Sequence, residues 1–151
     1  MADEQTRLLA VASAGAPWDD LMLLLPTLSQ TDTRFATTRN NSATDLPEIA
    51  GFLPDCRLSQ PIAFVFCLGA AVRLMLRSRP TIVVSTGGAP GLACILVGRL
   101  SGARTLWIDS LVNSEKLSSS GRLASFVANQ CWTQWEHLAD GKRLRYFGST
   151  I

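Results

Sequence analysis

The sequence predicts an α/β fold, a doubly wound parallel sheet in a single domain (1–151), and three observations carry that expectation. Over residues 81–110 an apolar run (Thr81-Ile82-Val83-Val84-Ser85) meets a glycine-rich turn (Thr86-Gly87-Gly88-Ala89-Pro90-Gly91), a helical stretch over 92–100 closed by Ser101-Gly102, and a second apolar run over 104–110. Strand, turn, helix and strand in about thirty residues is the size of one βαβ unit. Both runs are too continuously apolar for strands with one wet face, so they read as parallel neighbours covered on both sides. The same alternation of strand and helix recurs along the chain. Its 151 residues, 47% hydrophobic and 17% charged, suffice for one core that buries about two-thirds of the unfolded surface.

Taken in order, residues 7–13 form the first strand and feed a small-residue loop, Ala14-Gly15-Ala16-Pro17. Pro17 suits a helix start, Asp19 and Asp20 suit its first turn, and Leu21, Leu24, Leu25 and Leu28 recur at helical spacing until Pro26 shortens or kinks the helix. Residues 33–38 have the β-branched and aromatic content of a second strand. From 39 to 54 the chain turns polar, with Asn40-Asn41-Ser42, Pro47 and Gly51, and a mobile loop is expected, followed by a third strand near 55–58.

Residues 61–77 open with a run (62–72) that is apolar on every helical face and end with Arg73 and Arg77, then Arg79. At this length the segment is expected to be too short to span a bilayer. Two readings stay open. Either the helix packs between the sheet and other protein, or Phe64, Phe66 and Leu68 dip into a membrane interface while Arg73 and Arg77 meet anionic head groups. Beyond the central unit, Ser118-Ser119-Ser120-Gly121 starts a helix that runs to 129. Residues 130–135 read as a strand, 136–140 as a short helical turn, and 143–147 as a last edge strand.

Composition narrows the function classes. A net charge of +2 with no run of Lys or Arg argues against nucleic acid as a partner. Cys56, Cys67, Cys94 and Cys131 are scattered, with no CxxC pair and only His137 as a nitrogen ligand, so neither zinc nor a disulfide framework is indicated. Free buried thiols in a reducing cytoplasm are expected, with no metal and no cofactor held by this chain. The polar start, Met1-Ala2-Asp3-Glu4-Gln5, does not resemble a signal peptide, so membrane contact is expected to be peripheral, at the inner face.

In an open parallel sheet, ligands bind beyond the carboxyl ends of the strands, and two glycine loops fall there: Ser13-Ala14-Gly15-Ala16-Pro17 and Thr86-Gly87-Gly88-Ala89-Pro90-Gly91. Each opens a helix whose free N–H groups suit a phosphate or diphosphate, although each glycine could simply let a strand turn into a helix. Neither loop has the GxGxxG or Walker pattern, which disfavours a dehydrogenase or an ATPase. Asp109 and Ser110 end the following strand and face the same cleft, to hold a sugar hydroxyl or to cap the next segment. The candidate diphosphate- and sugar-binding residues are therefore Ser13, Gly15, Thr86, Gly87, Gly88, Gly91, Asp109 and Ser110; no catalytic residue stands out. Trp132, Gln134, Trp135 and Glu136 form a second patch, with Trp132 and Gln134 on one strand face and Trp135 on the other, suited to a partner surface. His137 reads as a helix-end histidine.

Six motifs in order resemble a family. They are residues 9–15, Val84-Ser85-Thr86-Gly87-Gly88-Ala89-Pro90-Gly91, Ile108-Asp109-Ser110, the stretch from Leu117-Ser118 to Gly121-Arg122, Gln134-Trp135-Glu136 and Tyr146-Phe147-Gly148-Ser149. Their order is similar to that in split GT-B glycosyltransferases: bacterial exopolysaccharide and capsule subunits, and the membrane-recruiting subunit of the eukaryotic UDP-GlcNAc transferase of the dolichol pathway. More distantly, the glycine loops resemble those in the acceptor half of the peptidoglycan lipid-intermediate GlcNAc transferase. The resemblance implies a Rossmann-like N-terminal lobe facing a polyprenyl-diphosphate-linked sugar, with the UDP-sugar donor on a separate partner chain. It also implies a degenerate scaffold as an alternative, because the family's Gly-Gly-His in the first loop is here Gly15-Ala16-Pro17, and the eukaryotic subunit's membrane anchor is not expected. A stand-alone nucleotide-binding domain is the third reading.

Overall fold

The computed structural model describes residues 7–24, 32–38, 49–54, 56–57, 59–109, 119–133, 135–139 and 144–146. Seven strands form one sheet: β1 (Arg7–Ala12), β2 (Asp32–Thr38), β3 (Ile49–Leu53), β4 (Ile82–Gly87), β5 (Arg104–Ile108), β6 (Gln130–Thr133) and β7 (Leu144–Tyr146). Every pairing is parallel and the spatial order is β3-β2-β1-β4-β5-β6-β7. This is the doubly wound order, in which the chain winds one way from β1 and the other way from β4. Among the described residues the α-helices are α1 (Ala16–Leu23), α2 (Pro61–Ser78), α3 (Ala89–Leu100) and α4 (Ser119–Val127).

Side-chain alternation along the strands divides the core in two. Leu9, Val11, Ala36, Val83, Trp107, Cys131 and Leu144 face α2, α3 and α4, whereas Ala10, Ala12 and Phe35 face α1 through Trp18 and Leu21. Trp18 meets Phe35 edge-on, with centroids 6.5 Å apart and an interplanar angle of 74°, the offset geometry favoured by ring quadrupoles. Helix α3 sits low on the sheet because two of its residues lack side chains. A Cβ on Gly98 would lie 2.8 Å from Val83 Cγ2, and one on Gly91 would overlap the Ser85 hydroxyl. The four cysteines are buried thiols outside any disulfide, and burial pushes the Cys94 thiol up to about 12, leaving it neutral and unreactive at physiological pH.

The structure departs from the sequence reading at three places. The third strand is Ile49–Leu53, inside the stretch expected to be a loop and ahead of 55–58. Gly51 is accommodated within it because Leu74 of α2 fills the space, its Cδ1 3.3 Å from where a Cβ would stand. Residues 39–48 lie outside the described residues. Strand β6 stops at Thr133, so the alternation does not carry on to Trp135, which instead precedes a 3-10 turn (Glu136–Leu138).

The third departure concerns α2. Its 18 residues rise about 27 Å, and with a mean hydropathy of 1.5 it is long and apolar enough to cross a membrane by length and composition, which corrects the expectation that it is too short. As folded, however, it lies along the domain. Cys67, Ala71, Leu74 and Met75 are buried at helical spacing, and Phe64 and Leu68, expected at a membrane, turn inward and pack half-buried on the core. The outward stripe is Ile62, Val65, Phe66 and Leu76, between 63% and 75% exposed. Arg73 and Arg77 are exposed on the same helix.

Candidate functional site

Strands β1 and β4 are neighbours, and their chains leave in opposite directions, so a crevice opens at their carboxyl ends. Each ends in the same tripeptide: Gly15-Ala16-Pro17 leads into α1 and Gly88-Ala89-Pro90 into α3. Gly15 has φ 96° and Gly88 φ 90°, a region that only glycine enters readily. The first helical bond is alike in both, Asp19 N–H to Gly15 C=O at 3.0 Å and Leu92 N–H to Gly88 C=O at 3.1 Å. Neither helix has a side-chain cap. Two sets of helix-start N–H groups therefore lack an intrahelical acceptor at the positive ends of two dipoles.

The two bends touch. Ser13 N–H approaches Gly87 C=O at 3.4 Å, Thr86 Oγ1–H donates to Pro17 C=O at 2.6 Å, and Ala14 N–H donates to Thr38 Oγ1 at 3.1 Å. The Pro17 ring lies over Gly87, with Cγ 3.1 Å from where a Cβ would stand, and a Cβ on Gly88 would overlap the Ser13 hydroxyl. The β1–β4 register slips here, pairing Val11 with Ser85 but Ala12 with Gly87. Such irregularities cluster beside sites because they re-aim side chains. Ser13 Oγ is sealed from solvent and has no hydrogen-bond partner. An orphaned hydroxyl of this kind costs about 1–3 kcal/mol.

Of the residues singled out in the sequence, Ser13, Gly15, Thr86, Gly87 and Gly88 come together at this crevice. Gly91 lies in the first turn of α3 with its open side toward Ser85 and Trp107. Asp109 follows β5 and is only 1% exposed; Trp107 Nε1–H donates to its Oδ1 at 3.2 Å, and its own N–H donates to Trp132 C=O at 2.8 Å. Ser110 lies outside the described residues, as does Gln134. Sequence reasoning missed Thr38 and the inward role of Pro17. The only sequence signal for Thr38 was a threonine at a strand's carboxyl end.

The tryptophan patch is separate from the crevice. Trp132 pairs with Ile108 in register, on the sheet face opposite Trp107 and Cys131, and its Nε1–H donates to Gln130 Oε1 at 2.9 Å. A groove of about 410 Å³ runs beside it, lined by Ile82, Leu106, Arg104 and Gln130 among others. Among the described residues, α3 and α4 cover only the other face of this half of the sheet. Trp135 is half-buried and 6.1 Å from His137 between ring centres, while Glu136 is exposed.

The Acinetobacter baumannii MurG structure superposes with a TM-score of 0.77 over 93% of this chain and 45% of MurG, at 15% identity. A UDP-N-acetylglucosamine 2-epimerase from Rickettsia bellii gives 0.69 over 97% of the chain and 46% of the epimerase, at 11% identity. The chain has the fold of one GT-B lobe. In sequence, 88 residues of this lobe are 33% identical to the UDP-N-acetylglucosamine transferase subunit ALG14 of Eremothecium gossypii, spanning 52% of the chain and 38% of that protein. The lobe thus covers less than half the length of each of these proteins. No protein family profile matches it.

Proposed function

We propose that this chain is the acceptor-binding, membrane-associating subunit of a two-component UDP-sugar glycosyltransferase acting on a polyprenyl-diphosphate-linked sugar. The observation that carries this reading is the meeting of two uncapped Gly-Ala-Pro helix starts at the switch point. Paired helix N-termini suit the two phosphoryl groups of a diphosphate. The likeness to a named UDP-N-acetylglucosamine transferase subunit supplies the sugar chemistry. The exposed stripe of α2, flanked by Arg73 and Arg77, suits the surface of an anionic membrane, where the lipid substrate resides. One lobe offers one wall of a cleft, so the UDP-sugar site is assigned to a separate donor-domain chain.

The test is reconstitution. The purified chain is mixed with short-chain polyprenyl-diphosphate sugar and UDP-GlcNAc, with and without a donor-domain chain. Transfer is expected only from the mixture, and transfer by this chain alone counts against the reading. The partner surface is assigned to the sheet face around Trp132 and to Trp135. Parallel sheets need cover on both faces, and buried tryptophans are typical anchors of an interface. Trp132→Ala with Trp135→Ala is expected to weaken association with the donor-domain chain by roughly a hundredfold, since each anchor contributes about 1–2 kcal/mol or more. Unchanged affinity by calorimetry refutes this interface.

A second reading, a scaffold that recruits its partner without touching substrate, is favoured by one observation. Pro17 and Ser13 occupy the space beside Gly87 and Gly88 with the chain's own atoms. Substitution at Gly88 separates the two readings.

A further inference from the structure

The bend between β1 and α1 hangs between two threonines that are fully buried, Thr38 and Thr86. Thr38 ends β2 and accepts from Ala14 N–H at 3.1 Å; Thr86 lies near the end of β4 and donates to Pro17 C=O at 2.6 Å. The two strands flank β1 on either side. By alternation the hydroxyls come from opposite faces, Thr38 from the side of Ala36, which packs toward α2 and α3, and Thr86 from the side of α1. The register slip between β1 and β4 falls at Thr86. Both hydroxyls are engaged with backbone, one at each end of the bend. The hydroxyl left over is Ser13 Oγ, sealed between the bends with nothing to bond.

We propose that Thr38 and Thr86 are positioning residues for a diphosphate. They hold the first bend against the second, with the Ser13 hydroxyl packed between them, so that the helix-start N–H groups of α1 face the same anion as the start of α3. The assignment rests on the acceptor-binding reading above. It adds the device that sets the geometry: one side-chain hydrogen bond at each end of the bend fixes where α1 begins while leaving its helix-start N–H groups uncapped. Neither threonine touches the anion. Their effect passes through the backbone of residues 14–17.

The test uses the full chain and inorganic pyrophosphate, with binding measured by titration calorimetry and folding by thermal unfolding. Wild type is expected to bind. Thr38→Val and Thr86→Val keep the side-chain shape, remove the hydroxyl, and are expected to bind about tenfold more weakly, the scale of one lost hydrogen bond. Thr38→Ser and Thr86→Ser keep the hydroxyl and are expected to restore binding. Thr33→Val, at the other end of β2, is expected to leave pyrophosphate affinity unchanged. A folded valine variant that binds like wild type overturns the positioning role and leaves the acceptor reading intact. Absence of pyrophosphate binding in wild type overturns both. If a valine variant fails to fold, Thr38→Ala or Thr86→Ala carries the same prediction without the added methyl.

Discussion

Replacing Gly88 with alanine is expected to weaken pyrophosphate binding and sugar transfer by roughly a hundredfold while association with a donor-domain chain persists. Two costs combine at this position. Gly88 sits at φ 90° and ψ 154°, a region that is nearly glycine-only, and a side chain held there costs about 1–3 kcal/mol. The new Cβ would also overlap the Ser13 hydroxyl, so the second bend must move away from the first. If both bends present their N–H groups to one anion, as proposed, a displacement of about 1 Å is expected to cost roughly a hundredfold in transfer. Stability falls too, and about 3 kcal/mol corresponds to a drop of roughly 6–12 °C in Tm for a chain of this size.

The companion substitution Ser13→Gly removes the overlap but not the backbone strain. The double variant is therefore expected to recover part of the binding lost by Gly88→Ala, a non-additivity measurable as a coupling energy. Transfer at the wild-type rate by folded, partner-bound Gly88→Ala would mean that the bends never touch substrate. The scaffold reading then stands. Sub-stoichiometric partner association would instead place Gly88 in the interface.

Local chemistry explains why the two bends were legible in the sequence and their support was not. A glycine followed by Ala-Pro after an apolar run specifies a turn into a helix by backbone sterics alone. Thr38, by contrast, meets Ala14 across 24 residues of sequence, and only the register of β1 on β2 brings them together. Strand β3 was displaced in the reading because Pro47 and Gly51 look like loop punctuation, whereas the tertiary contact with Leu74 makes glycine the residue that fits. Helix α2 failed differently. A run that is apolar on every face carries no periodic signal, so nothing in 61–77 distinguished Phe64 and Leu68, which turn inward, from Phe66, which turns out. The buried set Cys67, Ala71, Leu74 and Met75 is decided by the neighbours the helix meets.

That outward stripe supports the second large prediction. Val65, Phe66 and Leu76 are 63%, 71% and 71% exposed, a concentration of apolar surface that isolated soluble domains seldom show. Fully burying each such side chain is worth about 1.5–3 kcal/mol; immersion to roughly half that depth in a bilayer interface gives about 2–4.5 kcal/mol for the three. The triple variant Val65→Ser, Phe66→Ser, Leu76→Ser is thus expected to lower partitioning onto anionic vesicles by roughly a hundredfold or more. Arg73→Gln and Arg77→Gln are each expected to lower it about fivefold, at about 1 kcal/mol per charge near an anionic surface. Salt should erase the arginine effect and spare the apolar one, because only the former acts through a screened field. Co-sedimentation with vesicles of pure lipid makes the comparison free of any protein partner. If wild type and the triple variant remain equally in the supernatant with anionic lipid, the stripe is a protein-facing surface. On the acceptor-binding proposal, the lipid substrate would then be delivered to the bends by the partner chain.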